Sequence, residues 1–434
     1  MLAFILLMRK DFLRKSRDVN RQYGVEAMLL AELLEQVIEV GTMRLIGPDG
    51  RSYRSGNGST PAVTVRVRDA SVARRLFFNP ALALGEAYMD ESLTIEEGSL
   101  ADLLTVVCRN LERFQRLPTQ RALTALSGPL MWLFRRNPIG RSRRNVAHHY
   151  DLSGRLYELF LDKDMQYSCA YFHNDNESLE EAQANKKRRL AAKLLLDRPG
   201  LRVLDIGSGW GGLGLYLARS AEARVTGLTL SSEQHEVSNR RARESGLADR
   251  AEFRIQDYRQ VDGQYDRIVS VGMFEHVGRP HYRTFFRKVH ALLNEDGVAV
   301  LHSIGAMGPP RQQNAWIQRY IFPGGYVPSL SEVLPAVERS GLWITDVEIL
   351  RLHYAETLAE WRHRFEANRD AIRRLYDERF CRMWDFYLTC CEMAFRYSDL
   401  MVFQMQFAKR IDAVPITRDY MAQWEGAQSR RVGA

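Results

Sequence analysis

The feature that most constrains the fold is a regular alternation of strand-like and helix-like segments that starts at Arg202. Apolar stretches are separated in turn by glycine-rich turns and by amphipathic helical stretches. The strand-like stretches are "RVLDIG" (202–207), "ARVTGLTLS" (223–231), "AEFRIQDY" (251–258), "YDRIVSVG" (265–272) and "VAVLHSIG" (298–305). Strands that alternate with helices in this way predict a doubly wound α/β fold, in which a parallel sheet is covered on both faces.

The chain before this region has a different pattern and predicts a second, smaller domain. A length of 434 residues exceeds that of one ordinary domain. Residues 20–116 contain a helix-like stretch, a turn at 47–51 and period-two alternation over 62–69, which is typical of a small α+β domain. Residues 117–145, interrupted by three prolines, are typical of a linker. Residues 146–434 then form the α/β domain.

A glycine-rich turn follows the first of the five strands. Gly207, Gly209 and Gly212 fit the pattern G-x-G-x-x-G, which lets a ligand approach the backbone at the start of a helix. Nicotinamide, flavin and S-adenosylmethionine enzymes share this pattern. A dinucleotide enzyme also needs an acidic residue at the end of the second strand, and residues 227–234 read "GLTLSSEQ" instead. With Trp210 after the second glycine, the turn resembles that of methyltransferases that use S-adenosylmethionine.

Cysteine content and net charge restrict the setting in which the protein works. The five cysteines are odd in number and lack paired metal-ligand spacing, which favours reduced thiols in a cytoplasm. No apolar run is long enough to span a bilayer. The formal net charge of +8 indicates an anionic partner. No nucleic-acid-binding module is recognisable, so the anionic face of a membrane explains the charge better.

Two basic segments are candidates for that contact. Five arginines lie between residues 135 and 144, directly after the apolar "LMWLF" of 130–134. The stretch 185–196, "NKKRRLAAKLLL", has the pattern of a basic amphipathic helix. Each segment has two interpretations: a solvated surface with no ligand, or a patch that binds lipid phosphates.

Seven strings in the C-terminal two-thirds of the chain together resemble one family, the cyclopropane-fatty-acyl-phospholipid synthases and their mycolic acid relatives. The strings are "HHYDLS" (148–153), "MQYSCAYF" (165–172), "VLDIGSGWGG" (203–212), "VTGLTLSSEQ" (225–234), "MFEHVG" (273–278), "LHSIG" (301–305) and "YIFPGGYVPSL" (320–330). The N-terminal segment looks like the smaller, lipid-engaging domain of the two-domain members of this family.

The resemblance implies both a reaction and a set of catalytic residues. The family transfers the methyl group of S-adenosylmethionine to the cis double bond of an acyl chain and closes a cyclopropane ring, which requires a base to remove one proton. In the family the base is a bound bicarbonate. The residues that hold it correspond here to Cys169, Glu275, His302 and Tyr354, helped by backbone groups at Cys169 and Ile304. Cys391 also corresponds to a family cysteine, for which we expect a minor structural role.

The resemblance also implies which residues contact the cofactor. These are Tyr167, Ser168, Gly207, Ser208, Gly209, Thr229, Gln234, Gln256, Asp257 and Tyr258. We expect Glu275 and His302 to follow the C-terminal ends of the fourth and fifth strands, where a doubly wound sheet places its ligands. Aromatic rings around Cys169, with Tyr320 and Phe322, are expected to stabilise a cation.

The leading hypothesis is therefore a cyclopropane synthase that uses S-adenosylmethionine and bicarbonate. It acts on unsaturated acyl chains at an anionic phospholipid surface, without nucleic acid, as a cytoplasmic protein peripheral to the inner face of the membrane. A related enzyme that leaves a methyl or methylene branch, or one that methylates a small amine, is the alternative within the same fold. A lipid-binding protein with a relic cofactor site is the non-enzymatic alternative. The oligomeric state stays open, with a homodimer as one option.

Overall fold

The computed structural model describes residues 22–117 and 153–432, which pack into two compact units. The first unit contains the N-terminal residues together with 314–321 and 369–398, and the second contains the remaining described residues. These units differ from the continuous ranges predicted, because two later segments of the chain pack with the N-terminal part. Most of the predicted linker, including the arginine-rich segment, lies outside the described residues.

The elements are numbered in chain order within the described residues. The helices are α1 (Gln22–Val37), α2 (Ala70–Phe78), α3 (Pro80–Met89), α4 (Leu100–Arg109), α5 (Leu111–Arg116), α6 (Gly154–Phe160), α7 (Leu179–Lys193), α8 (Gly212–Ser220), α9 (Ser232–Glu244), α10 (Tyr282–Leu292), α11 (Ala315–Tyr320), α12 (Leu330–Glu338), α13 (His353–Ala367), α14 (Arg369–Leu375), α15 (Glu378–Tyr397) and α16 (Asp419–Val432). The strands are β1 (Thr42–Ile46), β2 (Ser52–Gly56), β3 (Ala62–Val67), β4 (Leu93–Glu97), β5 (Arg202–Ile206), β6 (Arg224–Thr229), β7 (Ala251–Ile255), β8 (Tyr265–Val271), β9 (Leu293–Ala306), β10 (Trp343–Ile349) and β11 (Leu400–Ala408).

The first unit is a four-stranded sheet with helices packed on it. The strand order is β2-β1-β3-β4, with β1 and β3 parallel and the two outer strands antiparallel to their neighbours. The predicted turn at 47–51 joins β1 to β2, and the alternating stretch at 62–69 forms β3. The mixed α+β organisation predicted for this part of the chain is confirmed.

The second unit contains a seven-stranded sheet of order β10-β11-β9-β8-β5-β6-β7. The five predicted strands, β5 to β9, are all present and pair in parallel, so the predicted doubly wound sheet is confirmed. The structure adds β11 and β10, which continue the sheet beyond β9 in antiparallel pairing.

The parallel strands are buried on both faces, which explains their nearly continuous apolar sequence. On β5, Val203 belongs to the core cluster on one side of the sheet, and Leu204 belongs to the cluster on the other side. On β9, Val300 and Leu301 divide in the same way. Because both faces are covered, a ligand can reach the sheet only at its ends, and the C-terminal ends of the parallel strands meet at one edge.

Two lysines of helix α7 do not lie on the basic surface predicted for it. Lys186 and Lys193 are 1% and 0% exposed, respectively. The Lys193 Nζ atom lies 2.6 Å from Glu348 Oε2 and 3.3 Å from Asp346 Oδ2. Lys186 is turned inward and Lys193 is paired with two carboxylates, so neither cation contributes to a basic surface, and the contact of this helix with lipid stays a prediction.

Candidate active site

The glycine-rich turn joins β5 to α8 and forms one wall of a pocket. The N–H groups of Gly207 and Ser208 both donate to the Leu228 carbonyl at the end of β6, at 3.0 and 2.8 Å. Gly207 has a φ of +88°, and a Cβ atom placed on it would lie 2.7 Å from Cβ of Met273. Only glycine fits there without strain, so the turn keeps the backbone close to the pocket.

The pocket lies where β5, β6, β7 and β8 end. Its lining includes seven of the predicted cofactor-binding residues: Gly207, Gly209, Thr229, Gln234, Gln256, Asp257 and Tyr258. Ser208 lies behind the turn, where its hydroxyl donates to the Leu228 carbonyl at 3.2 Å. Seven of the ten predicted cofactor-binding residues therefore line one pocket, and their contact with the cofactor stays a prediction.

The polar groups of the pocket suit an adenosine better than a dinucleotide. At the end of β6 the Thr229 hydroxyl donates to Gln234 Oε1 at 2.7 Å, so a hydroxyl and an amide stand where a nicotinamide enzyme has an acid. Arg259, which also lines the pocket, donates to both Asp257 carboxylate oxygens at 2.8 and 2.6 Å. Its charge is therefore already neutralised and is not available for a pyrophosphate. These residues fit S-adenosylmethionine.

Tyr167, Ser168 and Cys169 belong to a segment, Met165–Phe172, that we call the strap. The strap is not part of the pocket lining described above, but it is held firmly in the same unit. The Gln183 side chain on α7 donates to the Ser168 carbonyl at 2.9 Å. On the other side, the Ala170 N–H donates to the Thr357 hydroxyl on α13 at 3.0 Å. The strap thus lies between two helices that fix its backbone.

Cys169 is a buried thiol. Burial raises its pKa well above the ordinary value, and its Sγ donates to the Ala170 carbonyl at 3.2 Å. Cys391 belongs to α15 in the first unit. Burial raises its pKa, and the thiols of Cys390 and Cys108 raise it further. Neither cysteine has the depressed pKa of a nucleophilic thiolate. The minor role expected for Cys391 stays a prediction.

Glu275 follows the end of β8, as expected, and lies on a short 3₁₀ turn, Phe274–His276. Its Oε1 accepts the Ile304 N–H at 2.7 Å, so that backbone group is occupied by Glu275. Its Oε2 is buried and has no hydrogen-bond partner among the described residues. Burial raises the Glu275 pKa to about 7. The carboxyl group therefore offers one oxygen to a ligand.

His302 lies within β9 and does not follow its end as predicted, because β9 extends to Ala306 and pairs on both sides. Its strand neighbours are Val271 on β8 and Gln404 on β11. The His302 Nδ1 atom lies 3.2 Å from Gln404 Nε2, and burial lowers the His302 pKa well below its usual range. The ring is therefore neutral. Glu275 accepts the backbone N–H of Ile304, two residues further along, so its carboxyl group lies at the segment of β9 that contains His302.

Tyr354 is buried on α13, with its ring edge-on to Trp361 at 5.8 Å. It is three residues before Thr357, so both lie on the face of α13 that receives the strap. Tyr354 thus lies on the helix that bonds to the strap, which contains Cys169, and Glu275 bonds to the strand that contains His302. All four residues belong to the second unit. The roles that the resemblance assigns to these four residues stay predictions.

The two other aromatic residues expected near the cation are in different units. Tyr320 belongs to the first unit, where its hydroxyl donates to Glu86 at 2.9 Å. Phe322 belongs to the second unit, with its ring centroid 6.1 Å from that of His276. Rings that do surround the strap are those of Tyr157 and Trp361, whose centroids are 5.3 and 5.1 Å from that of Tyr167.

Polar residues inside apolar patterns were missed by the sequence analysis. Gln183 and Lys186 take core-facing positions in the series Leu179, Gln183, Lys186, Leu190 and Lys193, which is spaced by four and three residues. Gln404 lies in the middle of the apolar "LMVFQMQFA" of β11. A polar residue at a core-facing position is the signal that would have identified them.

The burial of Glu275 predicts a measurable stability difference. A carboxyl whose pKa is about 7 when folded and 4.5 when unfolded contributes stability that is lost as the pH rises from about 4.5 through 7. The variant Glu275→Gln keeps the Ile304 bond but does not titrate. We expect it to match the wild type near pH 4.5 and to gain roughly 3 kcal/mol over it above pH 7. Urea unfolding of both proteins across this pH range measures the difference, and parallel curves would contradict the assignment.

Comparison with known proteins places this site in a family. A family model described as mycolic acid cyclopropane synthetase matches residues 139–405, and a model of a domain of unknown function matches residues 29–118. The Escherichia coli K12 cyclopropane-fatty-acyl-phospholipid synthase is 36% identical over 363 residues, which cover 82% of this chain and 90% of that protein. The Mycobacterium tuberculosis H37Rv tuberculostearic acid methyltransferase is 35% identical over 397 residues, with 88% and 91% covered.

A solved structure agrees with these matches. The mycolic acid cyclopropane synthase CmaA1, in complex with SAH and CTAB, is 35% identical and has a TM-score of 0.58. The likeness covers 63% of this chain and 99% of that one. The methyltransferase fold and the family predicted from the sequence motifs are both confirmed. The chain belongs to the mycolic acid cyclopropane synthetase family.

Proposed function

We propose that this protein transfers the methyl carbon of S-adenosylmethionine to the cis double bond of an unsaturated phospholipid acyl chain and closes a cyclopropane ring. The observation that carries the proposal is that one unit contains the glycine-turn pocket and a buried Glu275, which has one unpartnered oxygen among the described residues and whose other oxygen accepts the N–H of Ile304, two residues after the neutral His302 on β9. The relatives support the same reaction, since a relative similar over most of the chain is a cyclopropane-fatty-acyl-phospholipid synthase.

The cofactor would be held by the glycine turn, by Thr229 at the end of β6 and Gln234 in the first turn of α9, and by Tyr167 and Ser168 of the strap. When bound, S-adenosylmethionine supplies an electrophilic methyl group. The chain's own residues exclude water from the site, because Cys169, Glu275 and His302 are each less than 10% exposed. A dry site strengthens every electrostatic contact made within it.

Removal of a proton is the second task of the site. We include in the proposal a small anion such as bicarbonate, held by Glu275, His302, Cys169 and Tyr354. Glu275 suits this role because Ile304 fixes one carboxyl oxygen while the other has no partner among the described residues. Its pKa of about 7 allows it either to donate or to accept a hydrogen bond at that oxygen near neutral pH. His302 is neutral and can donate one ring N–H.

We also propose that the protein works at the surface of an anionic phospholipid membrane, on its cytoplasmic side. The substrate class requires contact with lipid, and a net charge of +8 favours an anionic surface. None of the helices within residues 22–117 and 153–432 is long and apolar enough to cross a bilayer.

A specific comparison supports a second candidate. The tuberculostearic acid methyltransferase matches 88% of this chain, at nearly the same identity as the cyclopropane-fatty-acyl-phospholipid synthase. The alternative reaction therefore leaves a methyl or methylene branch on the acyl chain. Both reactions use the same cofactor pocket and lose one proton, so they differ in the bond that forms as the proton leaves: a ring bond in the first, and the double bond of a methylene branch in the second. A saturated methyl branch would require a hydride donor in addition.

Analysis of the product tests the proposal. The protein is incubated with S-adenosylmethionine carrying a ¹³C-labelled methyl group and with vesicles of an unsaturated phospholipid, and the lipid is examined by NMR. We expect ¹³C in a cyclopropane methylene. Label in a vinylic or branched methyl group would favour the second candidate, and label only on an amine would contradict both. Vesicle binding without any transfer of label would indicate a lipid-binding protein.

A further inference from the structure

Lys186 is a buried cation that the proposed reaction leaves unexplained. It lies on α7 and is 1% exposed. Its ammonium donates to Gln166 Oε1 at 2.6 Å and to Ser168 Oγ at 2.9 Å, which are both neutral oxygens. No carboxylate of the described residues forms an ion pair with it. An ammonium has three N–H donors, so one donor is not used within this part of the chain.

Three other cations on the same helix, Lys187, Arg189 and Lys193, form ion pairs, which distinguishes Lys186 from them. Lys193 is as deeply buried but contacts both Asp346 and Glu348. Lys187 pairs with Asp164, which also binds Arg241. A buried charge normally has a counterion, because removing it from water is costly. Burial lowers the Lys186 pKa to about 8, so the group still carries its charge near neutral pH.

The charge of Lys186 changes the pKa values of residues in the site. Its ammonium opposes the burial-driven rise in the pKa of Cys169 and of Asp205, and adds to the lowering of the His302 pKa. Asp205 does not neutralise it, because burial raises the Asp205 pKa to about 7 and no ion pair joins the two groups. Asp162 and Asp164 act on Lys186 from a distance and oppose part of the effect of burial on its pKa, but neither forms an ion pair with it, so its ammonium remains the nearest positive charge to the strap.

We propose that Lys186 provides the counter-charge for a carboxylate-type anion bound against Ser168 and Cys169. The inference rests on the proposed function, which supplies two such anions: the carboxylate of the S-adenosylmethionine amino-acid group, and the small proton-accepting anion. The same unused N–H of Lys186 suits either one. Lys186 also positions the strap, since its two existing bonds go to the side chains of Gln166 and Ser168.

Neighbouring variants separate charge from packing. Lys186→Met and Lys186→Gln both remove the charge, and the glutamine retains a polar head. Gln183→Met is the control for strap position, because it loses the bonds to the Gln166 and Ser168 carbonyls but keeps Lys186. Lys187→Met is the control for net charge, as it removes a cation from the next position of α7.

Two measurements distinguish the anions. Calorimetry compares the binding of SAH with that of its decarboxylated analogue, and turnover is followed against bicarbonate concentration. If the cofactor carboxylate is the anion, we expect both Lys186 variants to lose about tenfold or more in SAH affinity, with little change for the analogue. If the small anion is the ligand, the half-saturating bicarbonate concentration should rise by a similar factor. Lys187→Met should change neither quantity by more than about twofold, and Gln183→Met, which loosens the strap but keeps the charge of Lys186, should lose less than the Lys186 variants.

The proposal would be overturned if both Lys186 variants kept the wild-type SAH affinity and the wild-type bicarbonate dependence. It would also be overturned if Gln183→Met lost as much of either quantity as the Lys186 variants do. The SAH measurement needs no lipid, so it stays informative if the proposed reaction is wrong. Should the Lys186 variants not fold, NMR of labelled lysine in the wild-type protein replaces them. We then expect the Lys186 pKa to rise from about 8 when SAH or bicarbonate saturates the site, and an unchanged pKa would refute the inference.

Discussion

Replacement of Glu275 by glutamine is expected to lower kcat about 10²- to 10⁴-fold while SAH still binds with nearly unchanged affinity. The amide can accept the Ile304 N–H as the carboxylate does, so the local fold should survive. What the variant loses is the ionisable oxygen, Oε2, which is buried without a partner among the described residues. Since Glu275 is assigned to proton removal and not to cofactor binding, turnover should fall while the affinity for SAH stays nearly constant. Steady-state kinetics and calorimetry on the same preparation measure both quantities.

A matched glutamate provides the control. Glu348 is half-buried in the same unit, but its carboxylate is engaged by Arg189 and Lys193 in an ion-pair cluster. Glu348→Gln should therefore lower thermal stability and leave kcat, per folded molecule, within about threefold of the wild type. Full activity of Glu275→Gln would show that the carboxylate takes no part in the reaction. A parallel loss of SAH binding would assign Glu275 to the cofactor instead.

The second large effect is expected from Gly207→Ala. A side chain at a φ of +88° is strained, and its Cβ would lie 2.7 Å from Cβ of Met273. Together these costs amount to about 2 to 3 kcal/mol, or roughly a hundredfold in affinity if the turn moves to relieve them. We expect SAH binding to weaken by that factor, as measured by calorimetry, because the turn forms the wall of the pocket.

Gly200 offers a suitable comparison for this variant. It has a similar φ of +78°, but a Cβ atom there would meet nothing within 4 Å. It precedes β5 and is not part of the pocket lining. Gly200→Ala should show the conformational cost alone, as a modest drop in melting temperature with SAH affinity retained. Equal affinities in the two variants would mean that close approach at Gly207 does not matter for the cofactor.

Local pattern was sufficient to predict the parallel part of the sheet and the pocket at its end. Each βα unit of that sheet is continuous in sequence, and the turn residues that face the ligand directly follow their strands. Gly207 could therefore be placed from the glycine pattern after a strand. Thr229, Asp257 and Glu275 were assigned through the family resemblance, and the structure shows that each follows the end of a parallel strand or lies at it, with Glu275 on a 3₁₀ turn.

Features that depend on distant partners could not be predicted in this way. His302 was expected beyond a strand, but β11 pairs with β9 from a position about a hundred residues later and extends the strand to Ala306. The basic stretch on α7 was interpreted as a surface because Lys and Arg are usually solvated. Burial of Lys186 and Lys193 depends on acceptors supplied by the strap and by β10, which no local pattern reveals.

The position of His302 in the middle of the sheet has a consequence for how the site adapts to substrate. With hydrogen-bonded strands on both sides, β9 belongs to the part of the unit where local opening costs most. The histidine therefore acts as a fixed reference point. The strap is held in a different way, by side-chain bonds with Gln183 and Thr357, so single substitutions should shift the strap more readily than β9, and selectivity among acyl chains should respond more to variants of these two residues than to variants of the strand.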